Sequence, residues 1–261
     1  MEVVIAQDAE EIGRLVTDAI ETLVSRVPDA VLGLATGSSP LVIYAEVARR
    51  VQAGRFSLAR CRGFTLDEYV GLPPKHPELY RTVIEREMVE PTDIRTEYVQ
   101  SPDGGAEDLV AACAAYEAAL ADAGGVDLQI LGIGTDGHIG FNEPGSSLAS
   151  RTRVKTLAEQ TRRDNGRFFG GDLSAVPAHA VTQGIGTILD ARHLVLVAMG
   201  AAKAEAVHHL VEGPISAMWP ATALQLHPHV TVLVDEEAGA RLQWGRYYRQ
   251  AFEAKPDWQG L

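Results

Sequence analysis

The stretch "VDLQILGIGTDGHIGFNEPG", Val126 to Gly145, divides at its middle. Residues 126–133 form an unbroken run rich in Leu and Ile, the mark of a strand buried on both faces. From Thr135 onward the chain sets Asp136, His138 and Glu143 among Gly137, Gly140, Pro144 and Gly145, a composition suited to neither helix nor strand. Five further runs of the first kind are spread along the chain: "VVIA" (3–6), "AVLGLA" (30–35), "RGFTL" (62–66), "HLVLVAM" (193–199) and "HVTVLVD" (229–235). Helical patterns lie between them. Asp8, with Glu11 three residues on, has the spacing of a capping box. Ile12, Leu15, Val16, Ala19, Ile20, Leu23, Val24 and Val27 then recur at helical period. Leu109, Ala112, Cys113, Tyr116, Ala119 and Leu120 make a second stripe ahead of the 126–133 run. Strand and helix alternating in this way predict a three-layer α/β/α sandwich with a mostly parallel, Rossmann-like sheet. No linker, low-complexity tract or internal repeat divides it, so residues 1–261 are expected to form a single domain.

A chain of 261 residues is long enough to bury a sizeable core, and 46% hydrophobic with 22% charged residues is the balance of a folded domain. The formal net charge of −12 repels phosphates at long range. That argues against nucleic acid or an anionic membrane as partner, and any anionic ligand must be captured locally. Cys61 and Cys113 form no CxxC pair and no disulfide framework, as expected of a reducing compartment. The N-terminus "MEVVIAQDAEE" is acidic, its apolar run is short for a signal peptide, and nowhere do eighteen apolar residues run together. A cytoplasmic protein is expected.

In a parallel sheet, ligands bind beyond the carboxyl ends of the strands. Four strand-following segments are therefore of interest: "TGSSP" (36–40), "DEY" (67–69), "TDGHIGFNEPG" (135–145) and "GAAKAEA" (200–206). In the first, Ser39 is placed to cap the following helix with Pro40 in its first turn. Gly37 allows a tight turn whose N–H groups, with the hydroxyls of Thr36, Ser38 and Ser39, can surround an anion. A plain strand-to-helix turn accounts for it equally, and there is no GxxxxGK[ST] of a nucleotide-binding loop. Asp67 follows a buried strand by one residue, where partial desolvation would raise its pKa towards that of a general base; Asp67, Glu68 and Tyr69 are alternatively turn residues. The third segment permits a metal site, an acid–base relay or a polar loop. Its DxHxxxxE spacing lacks an HExxH helix or a Cys/His pair, so no metal is expected. Asp136 and His138, two apart in extended backbone, would point the same way and let the carboxylate orient the imidazole.

"TGSSP", "FTLDEYVGLP", "HPE", "LGIGTDGHIGFNEPGSSLASRTRVKTL", "RFF" and "LQLHP" together resemble the glucosamine-6-phosphate deaminases, also called isomerases, over essentially the whole chain. Ser39 stands where many members carry Thr, a change that keeps the hydroxyl. The related 6-phosphogluconolactonases share the fold and a DGH tripeptide, but do not typically continue it as "IGFNEPGSS". The resemblance implies conversion of glucosamine 6-phosphate and water to fructose 6-phosphate and ammonia, in amino-sugar catabolism, without a cofactor. It implies Asp67 as the base at carbon 2, His138 as the ring-opening group with Asp136 and Glu143 beside it, and a phosphate held by Thr36, Gly37, Ser38, Ser39, Arg167 and Lys203. Without the resemblance, Arg167 and Lys203 read as surface cations.

Some members of that family are hexamers activated by N-acetylglucosamine 6-phosphate. Ser146, Arg153, Lys155 and Thr156 match their effector positions, with Tyr247 or Tyr248 as a further contributor, so a homo-oligomer is expected. Arg151, Arg153 and Lys155 also alternate at period two and would line one face of an extended segment, where charges otherwise serve only to discourage strand pairing. His208, His209, His227 and His229 show no ligand pattern and are expected to be structural. Two rivals stand beside the deaminase: a lactonase, which has no need of Asp67, and a sugar-phosphate sensor. A sensor of this fold is expected to carry a DNA-binding helix-turn-helix ahead of the first strand, which here begins at Val3.

Overall fold

The computed structural model describes residues 1–261, apart from the side chain of Asp257. Seven parallel strands form the main sheet: β1 (Glu2–Ile5), β2 (Val31–Leu34), β3 (Arg62–Thr65), β5 (Val99–Gln100), β6 (Leu128–Leu131), β9 (His193–Ala198) and β10 (Val230–Val234). Their order across the sheet is β1-β10-β9-β6-β2-β3-β5. All six runs read as strands are present; β1 is as long as its run but begins one residue earlier, β6 keeps only the middle half of its run, and the others are a residue or two shorter. Every residue of β2, β6, β9 and β10 is buried, so helices cover both faces and the α/β/α expectation holds. The seventh strand, β5, is two residues long at the sheet edge and has no apolar run to betray it.

Helix α1 (Ala9–Arg26) starts where expected: Asp8 accepts from the Glu11 N–H at 2.7 Å, and the Glu11 carboxylate accepts from the Gln7 N–H at 2.6 Å. Its buried face is Ile12, Val16, Ile20 and Val24, while Val27 falls outside the helix and is exposed. It packs beside α2 (Leu41–Gln52). Helix α4 (Leu109–Asp122) buries Cys113, Tyr116 and Leu120, and the short α6 (Ile185–Leu189) buries Ile185, Thr187 and Ile188.

A second sheet was not foreseen. Strands β4 (Asp67–Tyr69), β8 (His179–Thr182) and β7 (Arg153–Thr156) form an antiparallel trio in the order β4-β8-β7. Only Leu66 separates β3 from β4, so one chain segment leaves the main sheet and enters the small one directly. The main sheet is wound in two directions: β2, β3 and β5 run one way from the centre, and β6, β9 and β10 the other. The reversal falls between β2 and β6, and the loops leaving those two strands diverge there to open a crevice. "TGSSP" and "TDGHIGFNEPG" are those two loops. Among the described residues no helix is long and apolar enough to cross a membrane.

Candidate active site

A cleft of about 520 Å³ opens at this reversal. The four strand-following segments all reach it: Thr36 to Pro40 after β2, Asp67 after β3, Gly132 to Phe141 after β6, and Met199 to Lys203 after β9. Arg167 joins from the short helical turn Gly166–Phe169 that follows α5 (Glu159–Asn165).

Asp67 is 6% exposed and pairs across β4–β8 with Thr182. Among the described residues no hydrogen bond reaches its carboxyl group. Burial first, and the neighbouring Glu68 charge second, raise its pKa well above the ordinary carboxylate range. Glu68 points the other way and is a structural acid, not a turn residue. Its carboxylate accepts from the backbone N–H groups of Tyr69 (2.8 Å), Tyr80 (2.9 Å) and Arg81 (2.9 Å). It thereby ties β4 to the start of α3 (Tyr80–Ile84). Burial raises its pKa, against the pull of those three donors. Nothing in the local sequence signals this, because two of the three donors lie twelve and thirteen residues away.

The loop after β6 is a turn, which corrects the extended backbone expected for Asp136–His138. Gly137 has φ +80°, and the turn folds Asp136 back so that its Oδ1 accepts from the His138 N–H at 3.2 Å. The same oxygen stands 2.7 Å from His138 Nδ1, and Glu143 Oε2 lies 3.9 Å from that nitrogen. The ring–carboxylate contact is close but poorly aligned, leaving both His138 Nδ1 and Glu143 Oε2 without a well-directed hydrogen bond. Burial would raise the Asp136 carboxyl, but the close His138 ring and the His138 backbone N–H outweigh it and hold it at about 2. Glu143 Oε1 accepts from the Ala158 N–H at 3.1 Å. The ligand atoms of Asp136, His138 and Glu143 lie within 4.8 Å of one another, a spacing compatible with a cation as well as with a proton relay.

Further along this loop, Phe141 N–H donates to Thr182 Oγ1 at 3.0 Å, and the Asn142 amide donates to the carbonyls of Ile139 and Gln183. These bonds hold the loop over β4. A β-carbon on Gly140 (φ +55°) would stand 2.8 Å from Thr182 Oγ1 and 3.5 Å from Asp67 Oδ2. Asp67 and His138, remote in the chain, thus face one cleft.

At the other wall, Gly37 has φ +97°, and the N–H groups of Gly37, Ser38 and Ser39 make no hydrogen bond among the described residues. They are free to bind an anion. Ser39 does not cap α2: Pro40 occupies the cap position, and no side chain bonds to the helix start. The first turn is left open toward the cleft. Lys203 lines the same wall, its pKa lowered by burial. Arg167 is exposed at the mouth, its guanidinium 4.7 Å over the Phe168 ring. Tyr80 lines the cleft unforeseen, its hydroxyl donating to that of Tyr69 at 3.3 Å.

The residues matched to an effector site lie on the small sheet and its approach. Ser146 is buried with its Oγ unpartnered. Arg153 donates to Asn142 Oδ1 at 2.8 Å, and Lys155 and Thr156 follow it on β7. Arg151 lies before the strand and pairs with Glu117 and Asp190, so it does not share their face. Tyr247 and Tyr248 sit on α8 (Gly245–Glu253), which packs against β1, and the Tyr248 hydroxyl donates to Glu212. His193 and His229 stack at 3.6 Å, and His227 bridges carbonyls of Ala191 and His229, the structural roles expected of this region.

Comparison with known proteins places this arrangement among sugar-phosphate enzymes. The family described as glucosamine-6-phosphate isomerases/6-phosphogluconolactonase matches residues 5–233. The chain is 66% identical to a glucosamine-6-phosphate deaminase of Mycolicibacterium smegmatis and 66% identical to one of Beutenbergia cavernae, over the full length of each pair. Among solved structures it resembles a monomeric glucosamine-6-phosphate deaminase, with 42% identity, a TM-score of 0.90, and coverage of 92% of this chain and 100% of that one. A 6-phosphogluconolactonase from Trypanosoma cruzi shares the fold at 19% identity and a TM-score of 0.74, covering 93% and 97% of the two chains.

Proposed function

The chain belongs to the glucosamine-6-phosphate isomerase/6-phosphogluconolactonase family, and from that premise we propose that its cleft opens, isomerises and deaminates glucosamine 6-phosphate. The products are fructose 6-phosphate and ammonia, and one water is consumed. The observation that carries the reading is the convergence of a raised-pKa carboxyl, Asp67, and an imidazole, His138, from different strands upon one cleft.

The reaction needs two proton transfers at separate places on the sugar. Opening the pyranose requires a proton delivered to the ring oxygen and one removed from the anomeric hydroxyl. His138 performs this shuttle, with Asp136 orienting the ring and Glu143 nearby to stabilise its charged form. Asp67 then takes the proton from carbon 2 and returns it at carbon 1. Its lack of protein hydrogen-bond donors and its burial make the carboxylate a stronger base than one in water. The imine so formed is hydrolysed, releasing ammonia. The phosphate lies against the free N–H groups and hydroxyls of Thr36–Ser39, with Lys203 as a point charge and Arg167 closing the mouth. Asp136, His138 and Glu143 act as a relay in this scheme, and no metal takes part.

The assembly proposed is a homo-oligomer, up to a hexamer, with N-acetylglucosamine 6-phosphate bound near Ser146, Arg153, Lys155 and Thr156 as activator. The unpartnered Ser146 hydroxyl and the two cations favour an anionic ligand there; the monomeric state of the solved relative weighs toward a single chain. The location proposed is the cytoplasm, and residues 1–261 are proposed to fold as one domain. Ammonia release from glucosamine 6-phosphate, compared with hydrolysis of 6-phosphogluconolactone by the same preparation, tests the function. Ammonia release unaffected by a chelator is expected; lactone hydrolysis without it would replace this reading with the lactonase one.

A further inference from the structure

The turn that carries Asp136 and His138 rests on a segment that the reaction does not use, Ser216 to Thr222. Gly137 closes onto Trp219: a β-carbon on that glycine would stand 2.7 Å from Trp219 Cε3 and 3.4 Å from its Cα. The indole edge therefore fills the space under the turn with no room for even a methyl group. Two backbone hydrogen bonds flank the contact. Ala221 N–H donates to Gly137 O at 2.8 Å, and Gly145 N–H donates to Ala217 O at 2.8 Å. The segment is itself stiff, because Thr222 Oγ1 accepts from the Ser216 N–H at 2.8 Å and donates to the Trp219 carbonyl at 2.7 Å. The same indole stacks on His209, with ring centroids 3.9 Å apart and planes 17° from parallel. His209 belongs to α7 (Ala204–Glu212), which begins directly after Lys203. One aromatic side chain thus touches both the turn bearing the imidazole and the helix that follows the phosphate cation.

We propose that Trp219, stacked on His209, is a positioning residue for the Asp136–His138 pair, setting where the imidazole stands relative to the Lys203 wall. The proposal rests on the deaminase reading above. Its physical basis is how little side-chain material anchors the turn to the rest of the fold. The turn closes on its own backbone bonds, Gly137 N–H to Gly134 O at 3.0 Å and Gly134 N–H to His138 O at 2.9 Å, and the imidazole lies against Gly134, but neither glycine carries a side chain that could fix the turn's position from outside. Asp136 contacts His138 without good alignment, so that pair does not lock the ring by itself. The indole is the rigid body that the turn closes against. Asp67 is secured elsewhere, by β8 and the Glu68 anchor, and Gly140–Asn142 are held by Thr182 and Gln183. Loss of the indole should therefore act on the histidine step and spare the aspartate.

A double-mutant cycle tests this. Trp219→Ala in the native background is expected to lower kcat roughly 10- to 100-fold, the effect of misplacing a reacting group by about 1 Å. KM is expected to change little. In a His138→Gln background the same substitution should cost almost nothing further, because the residue it positions is already gone. Trp219→Phe and His209→Phe, which keep a stacked ring, should retain most of the rate. Thermal midpoints of all variants are read alongside. If Trp219→Ala does not fold, His209→Ala, which leaves the indole in its site, takes its place in the cycle with a smaller loss and the same lack of additivity. Losses that multiply in the His138→Gln background, a Phe variant as damaged as the Ala one, or an unchanged rate would each overturn the proposal. Failure of the deaminase reading is distinct from these, since the unmodified protein would then release no ammonia.

Discussion

Asp67, the proposed base, stands one residue beyond a buried strand, and among the described residues no donor stabilises its charge. Asp67→Asn should abolish turnover, a loss of about 100- to 10,000-fold or more, while a competitive substrate analogue still binds; a near-normal rate would remove Asp67 as the base. In the proposed mechanism the active form is the carboxylate, so the rate should fall as pH drops through a pKa above the ordinary carboxylate range. Stability runs the opposite way. A carboxyl whose folded pKa is raised contributes fully below its unfolded pKa, and that contribution is lost as pH rises through the folded value. The Asn variant should therefore melt higher than the parent at neutral pH, with the difference shrinking as the pH is lowered into the carboxylate range. An Asn variant less stable than the parent at neutral pH would contradict the buried-charge account.

At the scale of elements, the site depends on how short segments are anchored. Strand β4 has three residues and would not hold Asp67 on its own ladder alone. Glu68 supplies the anchor by collecting three N–H groups from β4 and the start of α3. Glu68→Ala should destabilise the protein by roughly 2–3 kcal/mol, the cost of leaving such donors without their charged acceptor. Denaturant midpoints measure it, and kcat should fall in parallel as β4 loosens. A change below about 0.5 kcal/mol, the scale of an ordinary surface substitution, would show that the strand is held by other means. The start of α2 teaches the same lesson in reverse. Ser39 has the right chemistry for a cap, yet Pro40 holds that position, and the uncapped turn faces the cleft. A helix end left without a partner is costly unless something else binds it, and the phosphate of the proposed substrate would be that partner.

Over the whole molecule the charge is −12, and the cleft is lined by Arg86, Arg167 and Lys203 alongside Asp67, Glu78, Glu87 and Asp164. Regulation, if it follows the proposal, acts between cleft and small sheet. Arg153 on β7 bonds Asn142, which bonds the loop over Asp67, so the two sites share a hydrogen-bonded path. Velocity that is sigmoidal in glucosamine 6-phosphate and becomes hyperbolic on adding N-acetylglucosamine 6-phosphate is the expected outcome, accompanied by an oligomer in sedimentation. Hyperbolic kinetics unchanged by that sugar, from a sedimenting monomer, would withdraw both the effector and the assembly.

The amino-acid pattern alone determined the six long strands, both amphipathic stripes and the end of the sheet at which to look. Buried parallel strands are continuous in the sequence, and rules of connection place their loops without coordinates. The motif resemblance supplied the roles proposed for Asp67, for His138 and for the residues around the phosphate. Only the tertiary structure decided the small antiparallel sheet, the two-residue edge strand, the anchoring by Glu68 and the contact of Trp219 with Gly137. Strand β4 has only three residues, and although Arg153 and Lys155 of the period-two pattern fall on β7, nothing local says which strand β7 pairs with; both contacts join groups far enough apart that no local pattern encodes them. Distance in the chain is the common reason: what repeats within one turn or one strand can be read directly, and what meets across the fold cannot.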